Sequence, residues 1–128
     1  MGLYRPVYTK IWNDQAFEDY NVEKKLLFLF LLTSETADKS GIYPLSPMKM
    51  ACYTGIAEEK IISYLEELEN EDRIRYDFSR KIIFIKKAFE YNKNTFARDP
   101  KIAGKALFAY YSKNPCKYWD EFFETYKN

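Results

Sequence analysis

The stretch SPMKMACYTGIAEEKIISYLEELENEDRIRYDFSRKIIFI, residues 46–85, decides the fold of this chain. Its first part predicts a short helix. Ser46 is a favourable N-cap, and Pro47 suits the first helical position, where no backbone N–H is needed. Gly55 then ends the helix, because glycine adopts the left-handed conformation that commonly follows a helix end. The sequence therefore predicts one short helix that ends in a tight turn.

A second helix and a hairpin follow this turn. The helix begins near Ala57 and runs to about Asn70, and four apolar residues share one of its faces: Ile61, Ile62, Leu65 and Leu68. Residues 74–78 alternate between apolar and charged side chains, which is the period of a strand, and residues 82–85 supply the partner strand. Two helices, a glycine turn and a hairpin are the layout of a winged helix-turn-helix. The predicted fold class is therefore α+β, mainly α.

The N-terminal residues predict an arm and a short helix. Residues 1–12 alternate loosely between polar and apolar side chains, so we expect an extended arm or an edge strand. Asn13 or Asp14 can cap a short helix that runs to about residue 20. The arm would precede the winged-helix core.

The next helix is the predicted centre of that core. Asn21 caps a helix over residues 22–33, which contains an uninterrupted apolar run at 26–32. A helix that is apolar all round is buried on most sides. We expect it to form one cluster with the apolar face of the second motif helix, including Leu65, and with Phe84 of the hairpin.

Further elements complete a single predicted domain. Residues 42–45 form a short strand at a sheet edge, since Pro44 cannot donate a ladder hydrogen bond. Two more helices are expected near residues 101–112 and 118–126, with Asn-Pro between them. The domain comprises an N-terminal arm (1–12), a winged-helix core (13–87) and a C-terminal helical extension (88–128).

Composition bounds the function classes. The 128 residues carry a net charge of +1 and include two cysteines and no histidine. Without histidine or an activated thiol, we expect no enzyme activity, no metal site and no cofactor. The longest apolar run has seven residues, too short to span a bilayer, and no secretory signal is evident. We therefore expect a cytoplasmic protein with reduced thiols, with Cys52 in the core.

Charge is unevenly distributed along the chain. Residues 43–72 carry two basic and seven acidic side chains, whereas residues 73–105 carry ten basic and three acidic ones. The basic segment begins at the hairpin, or wing. Because phosphates attract Lys and Arg, the wing is a better candidate for a DNA contact than the acidic helix before it. On that helix, phosphate would repel Glu66 and Glu67.

Eight side chains of the motif are candidate DNA contacts: Lys49, Lys60, Ser63, Arg73, Arg75, Arg80, Lys81 and Lys86. We expect most of the affinity from phosphate contacts of the wing, and little base recognition by the second helix. A structural explanation of the same residues stays open, because Lys and Arg on exposed strands also protect sheet edges from pairing.

Blocks of residues along nearly the whole chain resemble one known family. The blocks are residues 4–14, 25–33, 41–43, 54–56, 65–68, 84–86, 91–93 and 99–102. In order and spacing they resemble the N-terminal domain of phage replication initiators, also called replisome organisers, which has a DnaD-like winged-helix fold. The resemblance implies a domain that binds double-stranded DNA, takes part in replication initiation and works with helicase-loading proteins.

Two other interpretations stay open. One is a protein-interaction or oligomerisation module, in which a homodimer or larger oligomer forms through Tyr8 and Trp12 of the arm, or through Trp119 and Phe122 of the last helix. It rests on the aromatic excess near both termini, which a small domain hides with difficulty. The other is a winged-helix transcriptional regulator. No membrane partner is expected.

Overall fold

A computed structural model describes residues 5, 7–35, 37–38, 40–89 and 100–126. The fold is mixed α+β and mainly helical, with a small antiparallel sheet. The elements that position the candidate site are, in chain order, the 3-10 helix Thr9–Asn13, α1 (Gln15–Asp19), α2 (Val22–Thr33), β1 (Ile42–Pro44), α3 (Pro47–Thr54), α4 (Glu58–Asn70), β2 (Ile74–Asp77), β3 (Ile82–Ile85), α5 (Pro100–Lys113) and α6 (Trp119–Thr125).

The order of these elements is that of a winged helix. α2, β1, α3, α4, β2 and β3 follow one another, and the strands lie in the order β1-β3-β2 with antiparallel pairing. β2 and β3 form the wing, and residues 78–81 between them form the wing turn. β1 lies at an edge of the sheet, where Pro44 needs no ladder hydrogen bond. The predicted fold class is confirmed.

Side-chain caps set the starts of α1, α2 and α3 where the sequence predicts them. Asp14, Asn21 and Ser46 each accept a hydrogen bond from a backbone N–H in the first turn, at 3.2, 2.8 and 3.2 Å. Each cap satisfies a donor that has no partner within its helix. Gly55 ends α3 in the left-handed conformation, with a φ of 81°. Local sequence chemistry therefore accounts for these helix boundaries.

The described N-terminal residues do not form the extended arm or edge strand that the sequence predicts. Thr9–Asn13 is a 3-10 helix instead. The ring of Trp12 meets the buried ring of Phe17 edge-on, with ring centres 5.4 Å apart. This contact packs the 3-10 helix against the core, whereas an extended arm would carry Trp12 away from Phe17. Residues 1–4 and 6 of the predicted arm lie outside the described part.

α2 is buried or half-buried on most sides, as the sequence predicts, and only a narrow strip of it is exposed. Leu27 and Leu31 are fully buried, whereas Val22 and Leu26 keep 81% and 43% of their surface exposed. The other apolar residues of α2 are buried or half-buried against the core, so the helix faces solvent only along the strip that contains Val22 and Leu26. Cys52 on α3 is likewise exposed, not in the core as expected.

Apolar side chains pack on both faces of the sheet. On the face towards α2 and α4, the main core includes Tyr43, Ile83 and Ile85. On the opposite face, a second core contains Ile42, Phe84, Tyr118, Trp119 and Phe122. Phe84 therefore does not join Leu65 in one cluster, because successive residues of a strand point to opposite faces. α6 and the residue before it cover the second face.

This second core uses the rings of α6 that the sequence offers as an oligomer interface. Trp119 and Phe122 are 2% and 1% exposed. The expectation that they form an intermolecular contact is wrong, because the chain's own sheet covers them. Tyr8 and Trp12 of the N-terminal region remain 38% and 57% exposed.

Candidate nucleic-acid interface

Arg73, a predicted DNA contact, is held by residues near the N-terminus. One of its guanidinium nitrogens lies 2.6 Å from Asp14 Oδ1. The guanidinium carbon lies 5.8 and 5.4 Å from the ring centres of Tyr20 and Phe28. The Arg73 side chain is only 21% exposed. Arg73 thus ties the start of β2 to the cap of α1, and its charge is neutralised within the chain.

The Asp14–Arg73 pair predicts an acid-sensitive contribution to stability. The hydrogen bond from Arg73 holds the pKa of Asp14 below its usual value, although partial burial opposes this. A lowered folded-state pKa stabilises the fold above the unfolded value and loses this effect as pH falls through the folded value. Asp14→Asn keeps a capping oxygen, and we expect it to cost up to about 1 kcal/mol at pH 7.

Urea unfolding of the wild type and Asp14→Asn between pH 7 and pH 2 measures this contribution. The stability difference between the two proteins should stay constant down to about pH 5 and shrink below about pH 4, where the carboxyl group becomes protonated. A difference that stays the same at pH 2 would show that the Asp14 charge does not stabilise the fold.

Arg75 and Lys86, two further predicted DNA contacts, hold α6 against the sheet. The Lys86 ammonium lies 2.9 Å from one carboxylate oxygen of Glu121, and Arg75 Nε lies 3.5 Å from the other. The same two cations also reach Asp72, at 3.1 and 2.8 Å. Burial acts to lower the pKa of Lys86, but the carboxylates of Glu121 and Asp72 outweigh burial and raise it. Both cations are therefore charged and paired within the chain.

α4, the helix that would enter the major groove, presents an acidic outer face. Lys60 lies with its ammonium 3.5 Å from Glu23 Oε1 of α2. Ser63 is exposed, and Glu59 and Glu66 are exposed about one turn before and after it. Among the described residues, no cation forms an ion pair with either of these two carboxylates. Phosphate would repel this face.

Glu67 does not share the outer face, although the sequence groups it with Glu66. Its carboxylate lies 2.8 Å from the ammonium of Lys24, a residue that is 6% exposed. Glu71 lies 2.7 Å from the same ammonium and accepts a hydrogen bond from the hydroxyl of Tyr20. Burial acts to lower the pKa of Lys24, but the two carboxylates outweigh it and raise the pKa. Glu67 therefore joins α2 to α4.

The wing turn presents two cations to solvent. Asp77 Oδ1 accepts hydrogen bonds from the backbone N–H groups of Ser79 and Arg80, at 3.0 and 3.1 Å. Lys81 completes the turn in the left-handed conformation, with a φ of 59°. The side chains of Arg80 and Lys81 are exposed, and neither forms an ion pair with a carboxylate in the described part of the chain. Both charges are open to a ligand.

Pro44 lies between the wing turn and α3. One cleft, of about 460 Å³, is lined by residues that include Pro44 and Lys49. A neighbouring cleft, of about 260 Å³, is lined by residues that include Pro44, Arg80 and Lys113. Because Pro44 lines both clefts, the three cations belong to one continuous surface. Lys113 reaches it from the last turn of α5.

We call this surface the basic edge surface and define it by Lys49, Arg80, Lys81 and Lys113. Lys81 adjoins it directly, since its carbonyl accepts a hydrogen bond from the N–H of Leu45 at 2.9 Å. All four side chains are exposed. None of them forms an ion pair with another residue that the structure describes. The surface therefore carries four unpaired positive charges.

The eight predicted contacts thus fall into three groups. Three lie on the basic edge surface: Lys49, Arg80 and Lys81. Three are ion-paired within the fold: Arg73, Arg75 and Lys86. Two lie on α4, Lys60 and Ser63, and neither lines the clefts beside Pro44. Sequence reasoning missed Lys113, because only the packing of the C-terminal helices on the sheet brings it to the wing.

Other kinds of site find no support in the described part of the chain. It holds no group of three or more residues that could bind a metal ion. None of its described helices is long and apolar enough to cross a membrane. Comparisons with protein-family models, with curated proteins and with solved structures found no match. The geometry of the basic edge surface is therefore the basis for a functional proposal.

Proposed function

We propose that the chain binds DNA through the basic edge surface, as the winged-helix domain of a phage-type replication initiation protein. The contrast between paired and unpaired cations carries the proposal. Arg73, Arg75 and Lys86 are neutralised within the chain, whereas the four cations of the basic edge surface are exposed and unpaired among described residues. Unpaired cations gathered on one surface attract phosphates.

Binding of this kind depends on the DNA backbone and little on sequence. Phosphate contacts position a protein on DNA, while contacts to base edges specify the sequence. The outer face of α4 carries Glu59 and Glu66, so this helix contributes little to base recognition. The initiator role rests on the family resemblance, which includes helicase-loading proteins as further partners.

Salt dependence tests the proposal. If four phosphates are neutralised, a plot of log Kobs against log salt for duplex DNA should have a slope of about −3.6. Arg80→Gln/Lys81→Asn removes two charges, and asparagine tolerates the left-handed conformation at position 81. We expect this variant to bind every duplex more weakly and to flatten the slope by about 1.8 units. Fluorescence anisotropy titrations at several salt concentrations measure both effects.

Lys10→Gln/Lys87→Gln is the matched control. Both lysines are exposed, and Lys87 follows β3 at the end of the sheet away from the wing turn. The control removes the same charge and should leave the slope unchanged. Equal weakening by the two double variants would show that net charge, not the basic edge surface, holds the DNA.

A protein-interaction module is the second candidate function, and exposed apolar residues favour it. Val22 and Leu26 are 81% and 43% exposed on the outer side of α2, and Trp12 is 57% exposed near the N-terminus. Such residues can supply a protein contact. Absence of DNA binding at low salt would favour this function over the first.

A further inference from the structure

An exposed aromatic ring lies beside Lys49 of the basic edge surface. Tyr53 follows Lys49 by one turn on α3, lines the same cleft and is 72% exposed. Its ring stacks on Phe30 of α2, with ring centres 5.9 Å apart and ring planes 25° from parallel. Phe30 thus packs against one face of the Tyr53 ring in an offset stack. The opposite face is available to another flat ring.

A second exposed ring lies at the wing turn. Phe78 is 43% exposed and precedes Arg80 by two residues. Its ring meets Tyr76 edge-on at 4.8 Å, and the Tyr76 hydroxyl donates to the carbonyl of Leu45 at 2.5 Å. Leu45 lines the same cleft as Tyr53. Both exposed rings are therefore linked to Leu45, Tyr53 through the shared cleft and Phe78 through Tyr76.

Cations interleaved with exposed rings suit unpaired nucleotides better than a double helix. In a duplex the bases stack on one another, so an external aromatic ring finds no free base face. A winged helix usually holds a duplex by placing its second motif helix in the major groove. That helix is α4, whose outer face carries Glu59 and Glu66. Single-stranded binding needs cations along the backbone and rings for the bases, and both are present.

We infer that the basic edge surface binds single-stranded nucleic acid in preference to duplex, an inference that rests on the proposed DNA binding. Tyr53 stacks on one unpaired base with the ring face that Phe30 leaves open, and Phe78 provides a second stacking position. Lys49, Arg80 and the other cations of the surface contact the phosphates on either side.

Anisotropy titrations with oligo-dT and with a duplex of equal length test this inference on the full chain. Tyr53→Ala should weaken oligo-dT binding about tenfold, because base stacking on an aromatic ring is lost, and should change duplex binding less than about twofold. Tyr53→Phe keeps the ring and should bind oligo-dT as the wild type does. A parallel titration with oligo-U shows whether the single strand that binds is RNA or DNA.

Trp12→Ala is the matched control, because it also removes an exposed aromatic ring. Trp12 lies near Asp14, which pairs with Arg73 at the start of β2, so it is away from the wing turn. The control should leave oligo-dT binding unchanged. If Tyr53→Ala weakens the binding of oligo-dT and of duplex equally, or changes the binding of neither, the inference is wrong. In that case the proposed function still stands if Arg80→Gln/Lys81→Asn weakens the binding of both oligo-dT and duplex. It fails if this variant weakens the binding of neither.

Discussion

Replacement of Trp119 by alanine should lower the free energy of unfolding by about 3–5 kcal/mol, the range for a large aromatic ring removed from a core. Trp119 is 2% exposed and packs with Ile42 and Phe84 in the second core, on the sheet face opposite α2 and α4. Its indole N–H donates to the carbonyl of Asn114 at 2.8 Å. The substitution leaves a cavity between α6 and the sheet and removes the donor to that carbonyl.

Urea unfolding followed by far-ultraviolet circular dichroism measures the loss. Phe108→Ala is the matched control, because Phe108 is 65% exposed on α5. It should change stability by less than about 0.5 kcal/mol, as exposed substitutions usually do. If Trp119→Ala costs no more than the control, the C-terminal helices do not unfold cooperatively with the winged helix.

The sequence predicts the winged helix because its signals are local. Ser46 caps α3, Gly55 ends it, and apolar residues at helical spacing place the buried face of α4. α6 packs on strands that are distant from it in sequence, and no local signal indicates this contact. The expectation that Phe84 and Leu65 share one core was wrong for this reason. One signal was available in residues 82–85, which are apolar on both faces of β3. A strand of that kind is covered on both sides.

The candidate site is less predictable, because a segment's net charge does not say which charges are paired. Arg73 meets Asp14, which lies 59 residues away in sequence. Arg75 and Lys86 meet Glu121, which no sequence pattern links to the wing. These contacts depend on how the helices pack, and they decide which basic residues remain open to a ligand.

The basic residues of the wing therefore fall into two groups, those that form ion pairs within the chain and those that are exposed. Cations at the start of β2 and the end of β3 hold the N-terminal region and α6 to the sheet. Cations at the wing turn lie beyond the reach of those acidic partners, and α3 and α5 add Lys49 and Lys113 beside them. The structural cations lie at one end of the wing, and the unpaired cations at the opposite end remain open to a ligand.

Replacement of Gly41 by alanine should lower the free energy of unfolding by about 2–5 kcal/mol, for two reasons. Gly41 has a φ of 87°, in the region that favours glycine. An added Cβ would also lie 2.5 Å from the carbonyl oxygen of Ile85 and 2.9 Å from Ala88 Cβ. The backbone cannot easily move away, because the carbonyl of Gly41 accepts a hydrogen bond from the N–H of Ile85 at 2.8 Å.

Gly55→Ala separates the two reasons. Gly55 has a similar φ of 81°, but an added Cβ there would meet no atom within 4 Å. This control should cost about 1–2 kcal/mol, the strain of the left-handed conformation alone. Chemical unfolding of both variants then gives the cost of the close approach as the difference between them. Equal losses at the two positions would show that β1 and the end of β3 are not as close at Gly41 as the structure places them.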